Sequence, residues 1–184
     1  MGVLGTNAPT VAANDGTVGS VVFTDTTNLL SSDDSRASAV LLLGQQSQYL
    51  KATGFQFAVP LDAVIVGIMV EWERQATVLS ATVDAASRLV KNGAPVGDDR
   101  SAAGNWPTTD AFQSYGGSTD LWGTSWTPAE INAAGFGAAL SCSALLAVTA
   151  GLDLCRITVW YLGSNRAAFS KALFKVGDGM GCSN

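Results

Sequence analysis

Histidine is absent from this sequence, and with it go the commonest base of nucleophilic catalysis and a favoured ligand of zinc. The three cysteines, Cys142, Cys155 and Cys182, contain no C-x-x-C pair, so no metal-binding spacing is present and no cofactor is expected. Charge is scarce. Only 14% of residues are charged, against about 25% in an average chain. The 10 Lys and Arg are outnumbered by 15 Asp and Glu, giving a net charge of −5. The basic residues are scattered and nowhere interleave with aromatics, which excludes a nucleic-acid partner. The first residues, "MGVLGTNAPTVAANDGTVGS", have neither a basic n-region nor an apolar h-region and read as an arm over 1–18, not as a signal peptide. Residues 131–152 carry no charge at all. Asn132, Ser141, Ser143 and Thr149, set among Gly and Ala, argue against a membrane span there.

What remains is apolar and alternating. Hydrophobic residues make up 47% of the chain, and so thin a coat of charge predicts that part of the surface is covered by other subunits. In "AVIVGIMVEWER", Val64, Val66, Ile68, Val70 and Trp72 fall on one face, and Ile65, Gly67, Met69, Glu71 and Glu73 on the other. Cys155, Ile157, Val159 and Tyr161 share a face opposite Arg156, Thr158 and Trp160. The same signal marks strands in "SVVFTD" from Ser20, "YLKATGFQFAV" from Tyr49, "ATVDAASRLVK" from Ala81 and "FGAALSCSA" from Phe136. This density of short strands predicts an all-β, antiparallel, jelly-roll-like sandwich over residues 19–162, with extended terminal arms at 1–18 and 163–184.

The joints agree. Asn92-Gly93 favours a tight turn with positive φ. Residues 105–123 show no sustained period and read as one long loop. In "SWTPAEINAAGFG", Thr127 is an N-cap, Pro128 suits the first helical position, Glu130 completes a capping box, and Trp126 with Ile131 is spaced as a hydrophobic staple. A helix of about two turns ending near Gly135 is expected.

No catalytic constellation emerges. Asp33-Asp34 and Asp98-Asp99 sit in turn-like sequence, where aspartate bonds its own backbone. Glu71 and Glu73 share a strand face, with Arg74 and Arg88 as plausible charge partners. Calcium through Asp98, Asp99 and Asp110 lacks any EF-hand pattern. A Cys142–Cys155 disulfide across a hairpin is open, with buried thiols the commoner state. The aromatics Trp106, Tyr115, Trp122 and Trp160 either line a sugar platform or cap the ends of the core.

The ordered series "SQYLKATGFQFAVP", "AVIVGIMVEWERQA", "SRLVKNGAPVGDD", "WPTTDAFQSYGGSTDLWGTSWTPAEINAAGFGAAL" and "RITVWY", spanning residues 47–161, resembles β-sandwich structural proteins of tailed bacteriophages and prophages. The resemblance implies a virion component with no catalytic residues. Where that family usually reads polar, this chain has Val66 and Met69, which points to a protein contact on the outer sheet face. The C-terminal stretch adds Phe169, Leu173, Phe174 and Val176, too few for a core of their own, so they must dock. The combined expectation is a non-enzymatic capsid cement or decoration protein on the capsid surface, made in the host cytoplasm. It would bind the major capsid protein and its own copies, as a trimer, through these residues together with Trp106, Tyr115, Trp122 and Trp160. The alternative is a carbohydrate-binding module of a tail fibre or baseplate that uses the Trp-rich loop.

Overall fold

A computed structural model of the protein describes residues 2–163. Two five-stranded antiparallel sheets pack face to face. The first, sheet A, contains β1 (Gly2–Asn7), β3 (Ala37–Leu41), β5 (Val64–Ala76), β8 (Ala111–Gly117) and β10 (Val148–Leu162). Its order is β1-β10-β5-β8, and β3 pairs with the first half of the long β10 strand while β1 pairs with the second half. Sheet B runs β2 (Val11–Asp15), β4 (Tyr49–Thr53), β9 (Gly137–Ala144), β6 (Thr82–Lys91) and β7 (Ala94–Val96), in that order.

Alternation explains which residues fill the space between the sheets. From β5 come Ile68, Val70 and Trp72, and from β10 come Cys155, Ile157 and Val159, all fully buried. Leu50, Leu89, Ala138 and Leu140 meet them from sheet B. The expected parity of β5 fails at its start, because the register slips between Trp160–Gly67 and Tyr161–Ile65. This bulge turns Ile65 into the core and leaves Val64 exposed. The uncharged run 131–152 supplies β9 and the start of β10, and among the described residues no helix is long and apolar enough to cross a membrane.

Three segments depart from expectation. Residues 1–18 are not a loose arm in their described part: β1 pairs with β10 and β2 with β4, so the segment closes an edge of each sheet. The reason is backbone pairing, which holds these strands despite the low strand propensity of Gly, Ala and Asn, helped by Leu4 and Ala12 packing on the core. "SVVFTD" contributes only isolated bridges, Val21 with Ser47 and Thr24 with Ser38. The long loop 105–123 contains a strand, β8, hidden in the sequence by Ser114 and the Gly116-Gly117 pair. The arm at 163–184, with Phe169, Leu173, Phe174 and Val176, lies outside the described residues apart from Gly163.

Asn92 and Gly93 have φ of 51° and 82° and close the β6–β7 hairpin. The helix, α1 (Pro128–Asn132), is shorter than two turns. Its capping box is complete: the Glu130 amide donates to Thr127 Oγ1 (3.3 Å) and the Thr127 amide to Glu130 Oε2 (2.8 Å). Asn132 ends it early by bonding both backbone groups of Val59. Thr127→Ala is expected to lower the unfolding free energy by about 0.5–2 kcal/mol, read from a denaturant titration.

Candidate functional site

The Trp-rich block does not form a surface platform. Trp106, Tyr115 and Trp122 are buried at 1%, 3% and 0% exposure, so the rings expected at an interface or a sugar site belong to the core. The cause lies at the inward positions of two strands. Arg74 on β5 follows the parity of Val70 and Trp72, and Asp84 on β6 points inward from the other sheet, so the two meet as an ion pair with 5% and 0% side-chain exposure. Asp84 also accepts from Trp106 Nε1 (2.7 Å), Tyr115 Oη (2.9 Å) and the Ala102 amide (2.8 Å). Arg74 donates to Tyr115 Oη (3.1 Å) and Gln113 Oε1 (3.1 Å), and its guanidinium lies 5.5 Å from the Trp106 ring centre. Burial pushes the Tyr115 phenol far above its ordinary range. It therefore stays protonated and works as a fixed donor to Asp84.

Trp122 is held in its own way. Its φ is 59°, its amide donates to Asp120 Oδ1 (2.7 Å), its carbonyl accepts from the Asp98 amide (2.8 Å), and its indole N–H reaches the Ile68 carbonyl (3.0 Å). Gly97 and Gly116 give it room, since a Cβ at either would stand 2.3–2.5 Å from Trp122 atoms. Trp126 is also buried, donating to the Leu121 carbonyl and meeting Phe136 edge to face at 5.3 Å.

The outer face of sheet A is where polar and aromatic groups converge in the open. Across its strands, Phe112 stands beside Glu73 and Leu154, then Ser114 beside Glu71 and Arg156, then Gly116 beside Met69 and Thr158, and lastly Gly67 beside Trp160 and Val3. Arg156 is clamped by Glu71 through two bonds, Nε–Oε2 at 2.8 Å and Nη2–Oε1 at 3.1 Å. That hydrogen bonding raises the guanidinium above its ordinary value, so it remains a cation throughout the working pH range. The same guanidinium lies 3.9 Å from the Phe112 ring centre, and the ring is still 39% exposed. Glu73 Oε2 is buried with no hydrogen-bond partner among the described residues. Trp160 and Met69 are half-buried on this face, and Val66 is half-buried in the bulge. Of the ten residues expected at an interface, the structure brings Met69 and Trp160 to one outer face, removes three to the core, and leaves four outside the described residues.

The charge partners expected for the strand acids are rearranged. Arg74 faces inward and Arg88 donates to the Gly97 carbonyl, so Glu71 takes Arg156 instead. The three aspartates considered for calcium are dispersed: Asp98 meets Arg100, Asp99 accepts from the Ser87 and Ser101 amides, and Asp110 binds Arg36. No group of three or more candidate ligands forms among the described residues. Cys142 and Cys155 are free, buried thiols, and burial pushes Cys142 up to about 12, far from reactivity. Of the groups on this face, the pattern of strand acids points to Glu71 and Glu73, while Phe112 is not among the candidates read from the sequence. The signal for Phe112 was present in "AFQSY", where Ala111, Gln113 and Tyr115 alternate with Phe112 and Ser114.

No protein-family model matches the chain, and no curated protein does. Among solved structures it is similar to one described as "CBM4 structure and function", at 14% identity over 81% of this chain and 94% of that one, with a TM-score of 0.41. It is also similar to the C-terminal CBM6 of LamC, a marine laminarinase from Zobellia galactanivorans, at 10% identity over 86% and 98% of the two chains, with a TM-score of 0.31. At these scores neither assigns a ligand to this chain.

Proposed function

We propose that this protein is a non-catalytic glycan-binding module of a phage virion appendage, such as a tail fibre or baseplate, and that its ligand lies along the outer face of sheet A. One observation carries the reading: the open Phe112 ring, stiffened by the clamped Arg156, stands beside the half-buried Glu73 carboxylate on an outer face that it shares with Trp160. A sugar offers what this arrangement needs, an apolar face for the ring and hydroxyls for the acid and the guanidinium. Trp160 stands on the same face six residues along β5 from the Glu73 level, roughly 20 Å away. That separation fits an oligosaccharide better than a single sugar.

The acids favour binding without cleavage. Glycoside hydrolysis needs two carboxyl groups flanking the scissile bond, whereas Glu71 and Glu73 project from one face of one strand and Glu71 is occupied by Arg156. The virion setting is supported by the motif series over residues 47–161, which resembles that of phage structural sandwiches. A capsid-cement role is supported less, because the segment expected as a free N-terminal arm at 1–18 is built into the sheets.

The test is a glycan array followed by titration calorimetry with the best oligosaccharide. Phe112→Ala and Glu73→Gln are each expected to weaken binding by about tenfold or more, equivalent to ~1.4 kcal/mol, while a thermal melt shows both variants folded. Binding that survives both changes, or a blank array with the folded wild-type chain, removes the reading.

A further inference from the structure

Among the described residues fourteen large hydrophobic ones are exposed, and seven of them, Val40, Leu42, Leu43, Val78, Leu79, Leu145 and Leu146, gather at one end of the sandwich. Three crossings between the sheets meet there: residues 42–48 from β3 to β4, 77–81 from β5 to β6, and 145–147 from β9 to β10. Hydrogen bonds join them into one surface. Gly44 donates to the Ala144 carbonyl (2.8 Å), Ala144 to Gln45 (2.9 Å), Leu145 to Ala81 (2.7 Å) and Thr77 to Thr149 (3.0 Å). The loops thus satisfy one another's backbone and hold their aliphatic side chains outward. Leu43 and Leu79 are 73% and 71% exposed.

We propose that this end of the sandwich is the contact surface for a second copy of the chain. Its exposed aliphatic area is on the order of 700 Å², beyond the largest patch of a usual monomer and near the ~800 Å² that one partner contributes to a stable complex. Residues 40–48, 77–83 and 143–152 contain no Asp, Glu, Lys or Arg. Two molecules that each carry −5 repel elsewhere, and a charge-free face is where they approach without placing like charges together. A surface of aliphatic side chains with only uncharged polar neighbours, such as Thr77, Ser80 and Gln45, can also meet its own copy without unpaired charge, as a symmetric contact requires. A lipid bilayer is a poorer occupant. The loops have neither the basic residues that draw a protein to anionic headgroups nor the Trp and Tyr that anchor at the interface.

The experiment is sedimentation equilibrium of the full chain over a concentration series, for wild type, Leu79→Asp, Leu146→Asp and Leu61→Asp. Leu61 is 77% exposed and precedes Val64, which pairs with Leu162 at the far end of β10, so its variant is the control. Wild type and Leu61→Asp are expected to exceed the monomer mass of 18.9 kDa. Leu79→Asp and Leu146→Asp are expected to weaken association by at least about 30-fold. Circular dichroism verifies their folding. A wild type that stays monomeric overturns the proposal, as does association that both patch variants leave intact. A monomer that instead sediments with neutral phosphatidylcholine vesicles also overturns it, in favour of lipid. Glycan binding retained by a monomeric Leu79→Asp separates this proposal from the function proposed above.

Discussion

Replacing Asp84 with alanine is expected to lower the unfolding free energy by about 3–5 kcal/mol, the range found when one member of a buried ion pair is removed. The size follows from what is stranded. Arg74 would keep its charge at 4% exposure with only Tyr115 and Gln113 as acceptors. The Trp106 indole N–H, the Ala102 amide and the Tyr115 hydroxyl would all lose Asp84 as their acceptor. Charge left in a medium of low polarity, more than any lost contact, makes the change severe. Adding Arg74→Met to Asp84→Leu removes that charge and is expected to recover part of the loss. Urea titrations of the single and double variants measure the difference, and a single variant within about 1 kcal/mol of wild type would mean that water reaches the network.

The second large effect is expected at Trp122. Trp122→Ala should cost about 3–5 kcal/mol, the usual penalty for emptying a buried aromatic site. The cavity would open between β5 and the loop after β8, and the Ile68 carbonyl would lose its indole donor. A left-handed backbone at a non-glycine residue stores about 1–3 kcal/mol, sustained here by the Asp120 and Asp98 bonds. Thermal denaturation should show a lowered midpoint or an unfolded chain. Loss of ligand binding in Trp122→Ala would therefore report unfolding. Phe112→Ala is the variant that reads the surface, because Phe112 is exposed and Trp122 is not. A fully stable Trp122→Ala would show that the ring is not part of the core.

Much of the frame was legible in the sequence. Strict alternation from Cys155 to Val159 and from Ile68 to Trp72 located the inner faces of β10 and β5, and the Thr127–Glu130 spacing located the helix start to the residue. Three things were harder to read, each for a physical reason. β1 and β2 are held mainly by backbone pairing, which side-chain pattern does not report. The bulge beside Val66 reverses parity within a single strand. Tryptophan, large and amphipathic, has the same signature in a core as on a ligand platform. What separated the two was elsewhere: Arg74 and Asp84 sit at inward positions of their strands, so two opposite charges had to meet inside and take the nearby ring donors with them. The candidate face was hidden for a related reason, because Phe112 acquires meaning only once Arg156 and Glu73, distant in sequence, lie beside it.

The placement of β10 has a consequence for how the molecule forms. This strand runs between β5 on one side and both β1 and β3 on the other, yet every other strand among the described residues precedes it in the chain. A ribosome that has reached Ala147 has therefore made a chain whose sheet A has no centre, while every described strand of sheet B is already synthesised. Closure has to wait for β10 to enter between β5 and the β1 and β3 strands, all distant from it in sequence, a non-local step of the kind that makes β-sandwiches slow folders. During that interval the apolar inner faces are open to solvent, which is when a chain with so little charge is most exposed to aggregation.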